Sequence, residues 1–195
     1  LNRSQAEVER KNAELTLLAT RDVLSGLFNR RSLMEQAEQV VASARTQATP
    51  LACIMCDIDH FKSVNDNFGH AGGDQVIQGA ARLLQQDLPA NGFAGRYGGE
   101  EFCVLLPGCD SAAAAAVAES MRAQTEAGLG AALRDHPGVR VTMSFGVAQL
   151  EPDVADHASL IAAQADGQYM VDALTPIADF NEQFGAHFAD DEYDT

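Results

Sequence analysis

The segment that most constrains the fold of this chain is the run RYGGEEF, which extends from Arg96 to Phe102. Apolar residues flank it on both sides, and this pattern predicts a tight turn between two strands. Because glycine has no Cβ atom, such a turn lets backbone approach a bulky ligand closely. The two carboxylates at its exit, Glu100 and Glu101, are ligands that a hard cation prefers. Two interpretations remain open at this point: an ordinary hairpin with solvated glutamates, or a site for phosphate and magnesium.

Helices and strands alternate along the rest of the chain. Apolar periodicity predicts a helix at 30–48, and the apolar run at 51–56 is typical of a buried strand. The remaining predicted elements are, in order, a short helix at 60–68, a loop at 69–73, a helix at 74–84 with Asp74 as its N-cap, a helix at 111–127, a strand at 139–150 and a helix at 155–165. This order indicates an α/β or α+β fold in which helices flank a mixed central sheet.

The chain divides into three predicted regions: a helical stalk or linker at 1–20, a main domain at 21–175 and an acidic tail at 176–195. In the first region, apolar residues such as Val8 and Leu15 stand seven apart, which suits a short coiled coil. A helical arm that packs on its own domain is equally compatible with this spacing. The 195 residues are 46% hydrophobic, which is enough for one domain with a substantial core.

The formal net charge of −15 disfavours general nucleic-acid binding, which needs a basic surface. The charge is also uneven: neither Lys nor Arg occurs after Arg140, while eleven Asp and Glu occur between Glu151 and Asp194. The sequence shows no apolar run long enough to span a membrane and no secretory signal. We therefore expect a cytoplasmic domain that binds no nucleic acid and has no membrane segment, although a full-length protein could be membrane-anchored.

The four cysteines are predicted to be thiols rather than metal ligands, which weakly indicates a reducing compartment. Cys53 and Cys56 have CxxC spacing, but they lie within a predicted strand. Residues i and i+3 of a strand point to opposite faces, so these two thiols are expected in the core. Cys103 and Cys109 receive the same interpretation.

Two acidic residues, Asp57 and Asp59, lie where the buried strand at 51–56 ends. A carboxylate in that position is well placed to present magnesium to a phosphate. The following residues open a helix whose free backbone N–H groups, together with Lys62, form a natural seat for an anion. If the glycine turn brings Glu100 to the same place, the set suits metal-assisted phosphoryl transfer. The alternative is that Asp57 and Asp59 only cap the helix.

The chain resembles the GGDEF domains of diguanylate cyclases over roughly residues 21–166. The resemblance rests on several motifs in order and at the expected spacing. They are DVLSGLFNRR at 22–31, DIDHFKSVND at 57–66, FGHAGGD at 68–74, GGEEF at 98–102, which is the common GGEEF variant of the signature turn, and VTMSFGV at 141–147.

The resemblance implies a nucleotide-cyclase or palm-like fold and a Mg²⁺-dependent reaction, with Mn²⁺ as a possible substitute. Two GTP molecules would condense into cyclic di-GMP with release of two pyrophosphates. Since one domain would hold one GTP, the implied active species is a homodimer, with the stalk as a dimerising element. An upstream sensor domain would lie outside this chain.

The family's site residues carry over onto matching positions of this sequence. The metal ligands would be Asp57, the Ile58 carbonyl and Glu100. Glu100 would also be the base for the ribose 3′-hydroxyl, assisted by Lys62 and Glu101 as the other catalytic residues. The nucleotide contacts would be His60, Phe61, Asn65, His70, Asp74, Gly98 and Gly99.

The sequence departs from the family pattern at two places. The positions of an RxxD product-inhibition motif hold Pro89-Ala90-Asn91-Gly92, so feedback through that motif is not expected. The position of a C-terminal Lys holds Ala173, and the Arg that follows in the family is absent. Losing one such phosphate contact would cost about 1.5–3 kcal/mol. The alternative to an active cyclase is therefore a catalytically weak or inactive module that binds GTP or cyclic di-GMP.

Overall fold

The computed structural model describes residues 3–150, in which four strands form one sheet and helices cover both of its faces. The elements are α1 (Arg3–Thr20), α2 (Arg30–Gln47), β1 (Leu51–Ile58), α3 (Phe61–Gln86), β2 (Phe93–Arg96), β3 (Glu101–Pro107), α4 (Ser111–Gly128), a short 3₁₀ helix (Leu129–Ala132) and β4 (Met143–Gln149). The predicted helix at 155–165, the end of the main domain and the acidic tail at 176–195 lie outside the described residues.

The sheet has the strand order β2-β3-β1-β4. Its two central strands, β3 and β1, pair from Leu51 opposite Pro107 to Asp57 opposite Glu101, and β1 pairs on its other side with β4. All three strand pairs are antiparallel, and the only parallel pairing among residues 3–150 is an isolated bridge between Phe28 and Gly95. The α+β class is thus confirmed, while the described sheet is antiparallel rather than mixed. A continuous apolar run such as that of β1 is typical of parallel strands covered on both faces. Here helices cover both faces of an antiparallel sheet, so the run reports burial and not strand direction.

The side-chain alternation of β1 divides the core into two layers. Cys53 packs with Leu33 and Val41 of α2 on one face. On the opposite face, Cys56 packs with residues of α3 and α4 such as Val76. Both thiols are fully buried, as is Cys103, whose Sγ lies 3.5 Å from that of Cys53. The prediction of core thiols is therefore confirmed for these three residues; Cys109 is half-buried against the second layer.

Helix α3 differs from its prediction because it continues through the glycine-rich segment. Only Gly69, with φ of 69°, leaves the helical conformation, where it produces a kink. The predicted loop at 69–73 is therefore wrong, and Asp74 lies inside the helix rather than at its N-cap. Gly72 and Gly73 serve close packing: a Cβ atom on Gly73 would overlap the side-chain oxygen of Asn65.

Helix α1 presents apolar side chains to solvent. Val8, Leu15, Leu17 and Leu18 are each more than half exposed, which is unusual for apolar residues so close together in the chain. Nevertheless, no helix within residues 3–150 is long and apolar enough to cross a membrane.

Candidate active site

The register of the sheet brings the two predicted acidic segments together at the end of β1. Asp57 lies opposite Glu101 on the adjacent strand β3. The next residue along β1, Ile58, donates its backbone N–H to the carbonyl oxygen of Glu100, 3.4 Å away. The structure therefore places Asp57, Ile58, Glu100 and Glu101 in one group, directly beside the turn that contains Gly98 and Gly99.

This group has an excess of buried negative charge. Asp57 is only 2% exposed to solvent. Burial, followed by the neighbouring Glu100, Glu101 and Asp59 carboxylates, raises the pKa of Asp57 to about 9. Burial and Glu100 also raise the pKa of Glu101, an effect that the nearby Arg30 guanidinium opposes. A cation bound here would relieve both effects.

The residues fit a magnesium ion. Mg²⁺ is usually held by one or two carboxylates and by substrate phosphates, with water filling the remaining positions. Two carboxylates and one backbone carbonyl are available in Asp57, Glu100 and Ile58. Among residues 3–150, no three His, Cys, Asp or Glu side chains are grouped so as to hold a metal by themselves. The donor set is therefore one that substrate phosphates would complete.

Residues at the start of strand β4 and just before it hold the turn between β1 and α3 in place. The Asp59 carboxylate accepts hydrogen bonds from the Ser144 hydroxyl at 2.7 Å and from the Thr142 hydroxyl. The Asp59 backbone N–H donates to the Thr142 carbonyl oxygen at 3.0 Å. The N-cap residue of α3 is His60, which adopts a left-handed conformation and gives no side-chain cap. Capping by Asp57 or Asp59 is thus wrong.

The start of α3 consequently has no side-chain acceptor from its N-cap residue. The first N–H groups of a helix lack partners within the helix, and they attract anions. Lys62 lies in this first turn and is exposed. His60, Phe61 and Lys62 therefore lie where the sequence predicted a phosphate seat, immediately after the carboxylate group.

The predicted nucleotide contacts beyond this turn are spread along α3. Asn65 packs against Gly73, one position before Asp74. Asp74 is exposed and directly follows Gly73 in the chain, so it lies close to Asn65. His70 is exposed and directly follows the Gly69 kink. Asn65 thus lies against the residue that precedes Asp74, and no hydrogen bond or ion pair found in residues 3–150 joins His70 to either of them.

Arg96 is the principal site residue that the sequence analysis missed. Its guanidinium donates to the carbonyl oxygens of Gly98 and Gly99, at 2.6–3.2 Å, and so fixes the glycine turn. It also forms an ion pair of 3.2 Å with Asp22. An arginine two positions before a pair of turn glycines is a usable local signal, because a guanidinium can satisfy several turn carbonyls at once. The partnership with Asp22 has no such signal.

We expect the exchange Asp22→Asn to loosen the glycine turn and lower the stability of the fold. Burial raises the pKa of Asp22, but hydrogen bonds from Ser25 and the charge and hydrogen bonds of Arg96 outweigh it, so the pKa lies below 3.8. Because the folded pKa is lowered, the stabilisation is fully present above pH 3.8 and is lost as pH falls through the folded value. Urea unfolding at pH 7 should show a loss of about 1 kcal/mol.

The matched control is Asp135→Asn, which changes an exposed carboxylate in the loop before β4. This variant should unfold at the same urea concentration as the unmodified chain. Equal stability of the Asp22 and Asp135 variants at pH 7 would show that the Asp22–Arg96 pair contributes nothing to the fold.

The chain belongs to the GGDEF family, since residues 19–173 match the family described as "Diguanylate cyclase, GGDEF domain". It is 33% identical over 165 residues to the response regulator PleD of Caulobacter vibrioides, covering 84% of this chain and 36% of PleD. It is 40% identical over 133 residues to the probable diguanylate cyclase DgcT of Escherichia coli, covering 66% and 28%. This chain thus spans about a third of the length of these curated relatives.

The fold is similar to that of a solved structure that contains the coiled coil and GGDEF domain of DgcB from Caulobacter crescentus in complex with c-di-GMP. The TM-score is 0.72 at 27% identity, and the match covers 94% of this chain and 92% of the other. The likeness therefore extends beyond the sheet and its helices into the N-terminal part of the chain.

Proposed function

We propose that this domain is a Mg²⁺-dependent diguanylate cyclase that condenses two GTP molecules into cyclic di-GMP. The observation that carries the proposal is the register of β1 and β3, which places Asp57 opposite Glu101 and ties Ile58 to Glu100. This group lies next to the helix start at His60, in a chain that belongs to the GGDEF family. The GGEEF run is, in this proposal, the functional form of the family's signature turn.

In the proposed site, Asp57, the Ile58 carbonyl and Glu100 hold Mg²⁺, or Mn²⁺ in its place. The metal would neutralise part of the negative charge on the phosphates. The backbone N–H groups at His60 and Phe61 bind phosphate oxygens, since helix starts favour anions. Lys62 stabilises the charge that develops on the phosphates during transfer. Glu101 is a further acid that orients the metal-binding residues. Gly98 and Gly99 allow the substrate to approach the turn closely, because they have no Cβ atom.

The reaction requires a proton acceptor at the ribose. Glu100 removes the proton from the 3′-hydroxyl of its GTP, and the resulting oxygen attacks the α-phosphorus of the second GTP. The bond from that phosphorus to the β-phosphate oxygen breaks, and pyrophosphate leaves. In the second step the 3′-hydroxyl of the second GTP attacks the α-phosphorus of the first in the same way. This step closes the ring and releases the second pyrophosphate.

Guanine selection is assigned to Asn65 and Asp74, with His70 as a further nucleotide contact. An amide and a carboxylate can together satisfy the carbonyl oxygen and the N–H donors of guanine. Adenine cannot match this pattern, and it would leave these side chains without partners. The packing of Asn65 against Gly73 supports the pairing, because it holds the amide beside Asp74.

Two half-sites are needed for the product, so the proposed active species is a homodimer. The exposed apolar residues Val8, Leu15 and Leu18 of α1 support this proposal, because pairing with a second copy would bury them. In this scheme, residues 1–20 transmit a signal from a sensor domain upstream. A change in the crossing of the two stalks would alter how the half-sites meet.

The experiment that tests the proposal is incubation of the purified chain with GTP and Mg²⁺, followed by chromatography for cyclic di-GMP. We expect product from GTP and none from ATP. GTP binding without product would favour the alternative of a non-catalytic binding module. The absence of Lys and Arg after Arg140 supports this alternative. If the chain neither binds GTP nor forms product, both functions are contradicted.

A further inference from the structure

A cavity of about 360 Å³ lies beside the start of α3, on the side that faces the loop before β4. Its lining includes the following residues from two stretches of the chain: Asp59, His60, Ser63, Asn67, Arg140 and Thr142. The cavity therefore joins the proposed phosphate seat at His60 to Arg140, which the sequence places some eighty positions later. Arg140 is the only Arg or Lys that lines it within the described part of the chain.

The Arg140 side chain is available to a ligand at small cost. It is 75% exposed, and its guanidinium forms an ion pair of 2.8 Å with Glu126. Such exposed ion pairs contribute little to stability. Glu126 has a second partner, since Arg122 lies 2.8 Å from its other carboxylate oxygen. If Arg140 turned towards the cavity, Glu126 would keep one cation and no buried charge would be left unpaired.

A bound GTP would bring several negative charges to this part of the molecule. In the proposed site the phosphates meet backbone N–H groups and one cation, Lys62. The sequence offers no Lys or Arg after Arg140, so the residues that follow β4 contain none that could neutralise a triphosphate. A guanidinium suits this task because it can donate two parallel hydrogen bonds to phosphate oxygens.

We infer that Arg140 is a substrate-binding residue that contacts the β- and γ-phosphates of GTP. This inference rests on the proposed function and deepens it, because it names the cation that faces the triphosphate across from Lys62. It also makes the loop before β4, rather than the C-terminal part of the chain, the second wall of the triphosphate site.

The test compares the affinities of two variants for GTP and GMP by calorimetry in Mg²⁺ buffer. The first variant is Arg140→Gln. The matched control is Arg134→Gln, because Arg134 is exposed in the same loop but lines only the neighbouring cavity. Removing a charged hydrogen bond to phosphate should weaken GTP binding by Arg140→Gln roughly tenfold or more. GMP, which lacks the β- and γ-phosphates, should lose much less affinity, and Arg134→Gln should bind both nucleotides like the unmodified chain.

Equal GTP affinity in the two variants, in a chain that synthesises cyclic di-GMP, would overturn the role of Arg140 and leave the proposed function intact. An equal loss for GTP and GMP would also overturn it, since the contact would then not be with the terminal phosphates. If the unmodified chain binds no GTP, the proposed function fails and this inference fails with it. Because Arg140 is mostly exposed, Arg140→Gln should fold normally.

Discussion

Replacing Glu100 by Gln should reduce cyclic di-GMP synthesis by roughly 10²- to 10⁴-fold. The neutral amide can neither accept the proton of the 3′-hydroxyl nor contribute a negative charge to the metal site. The shape of the side chain is kept, and the backbone contact between Glu100 and Ile58 does not involve it. The fold should therefore be unaffected. The measurement is the initial rate of product formation by chromatography, at saturating GTP and Mg²⁺.

The matched control is Glu119→Gln on α4, where an exposed carboxylate pairs only with Arg122. This variant should synthesise cyclic di-GMP at the rate of the unmodified chain. Synthesis by Glu100→Gln at that same rate would refute the assignment of Glu100 as base and metal ligand, even though the domain would still be a cyclase.

The exchange Asp57→Asn should abolish activity while stabilising the metal-free fold. The pKa of Asp57 rises from 3.8 to about 9 on folding, chiefly through burial and then through the neighbouring carboxylates. The fold therefore favours the protonated form, and its stability falls as pH rises from 3.8 towards 9. Asn is neutral throughout this range. At pH 7 without metal, we expect the variant to gain about 1–3 kcal/mol in unfolding free energy.

This second prediction is checked by urea unfolding in a chelating buffer at several pH values. The advantage of Asp57→Asn should grow between pH 4 and pH 9 and should be absent below pH 3.8. Mg²⁺ added together with GTP should raise the unfolding midpoint of the unmodified chain more than that of the variant. A variant that is both inactive and less stable at every pH would indicate that Asp57 is a structural hydrogen-bonding residue rather than a metal ligand.

The sequence predicts the elements that depend on local patterns. The glycine turn between two strands, the buried strand β1 and the core thiols Cys53 and Cys56 all follow from alternation and turn chemistry. The sequence predicts only conditionally that the glycine turn brings Glu100 to the Asp57 segment, and the register of β1 and β3 then places Asp57 opposite Glu101.

The remaining features depend on contacts between distant positions. Asp22 and Arg96 lie 74 residues apart, and Asp59 and Ser144 lie 85 apart, so no local pattern indicates either partnership. The continuation of α3 past Gly69 is likewise decided by packing, because glycines that usually mark a loop here permit close contact within a helix. Strand direction in the sheet is set by the whole topology rather than by the sequence of any strand.

The most direct test of the central claim is the rate of cyclic di-GMP synthesis per chain, measured against protein concentration with GTP and Mg²⁺. In the proposed reaction two half-sites must meet for the product to form, so the rate per chain should fall on dilution as dimers separate and should reach a plateau at high concentration. Synthesis at a constant rate per chain under conditions where sedimentation shows only monomers would contradict the account, and so would the absence of product at every concentration.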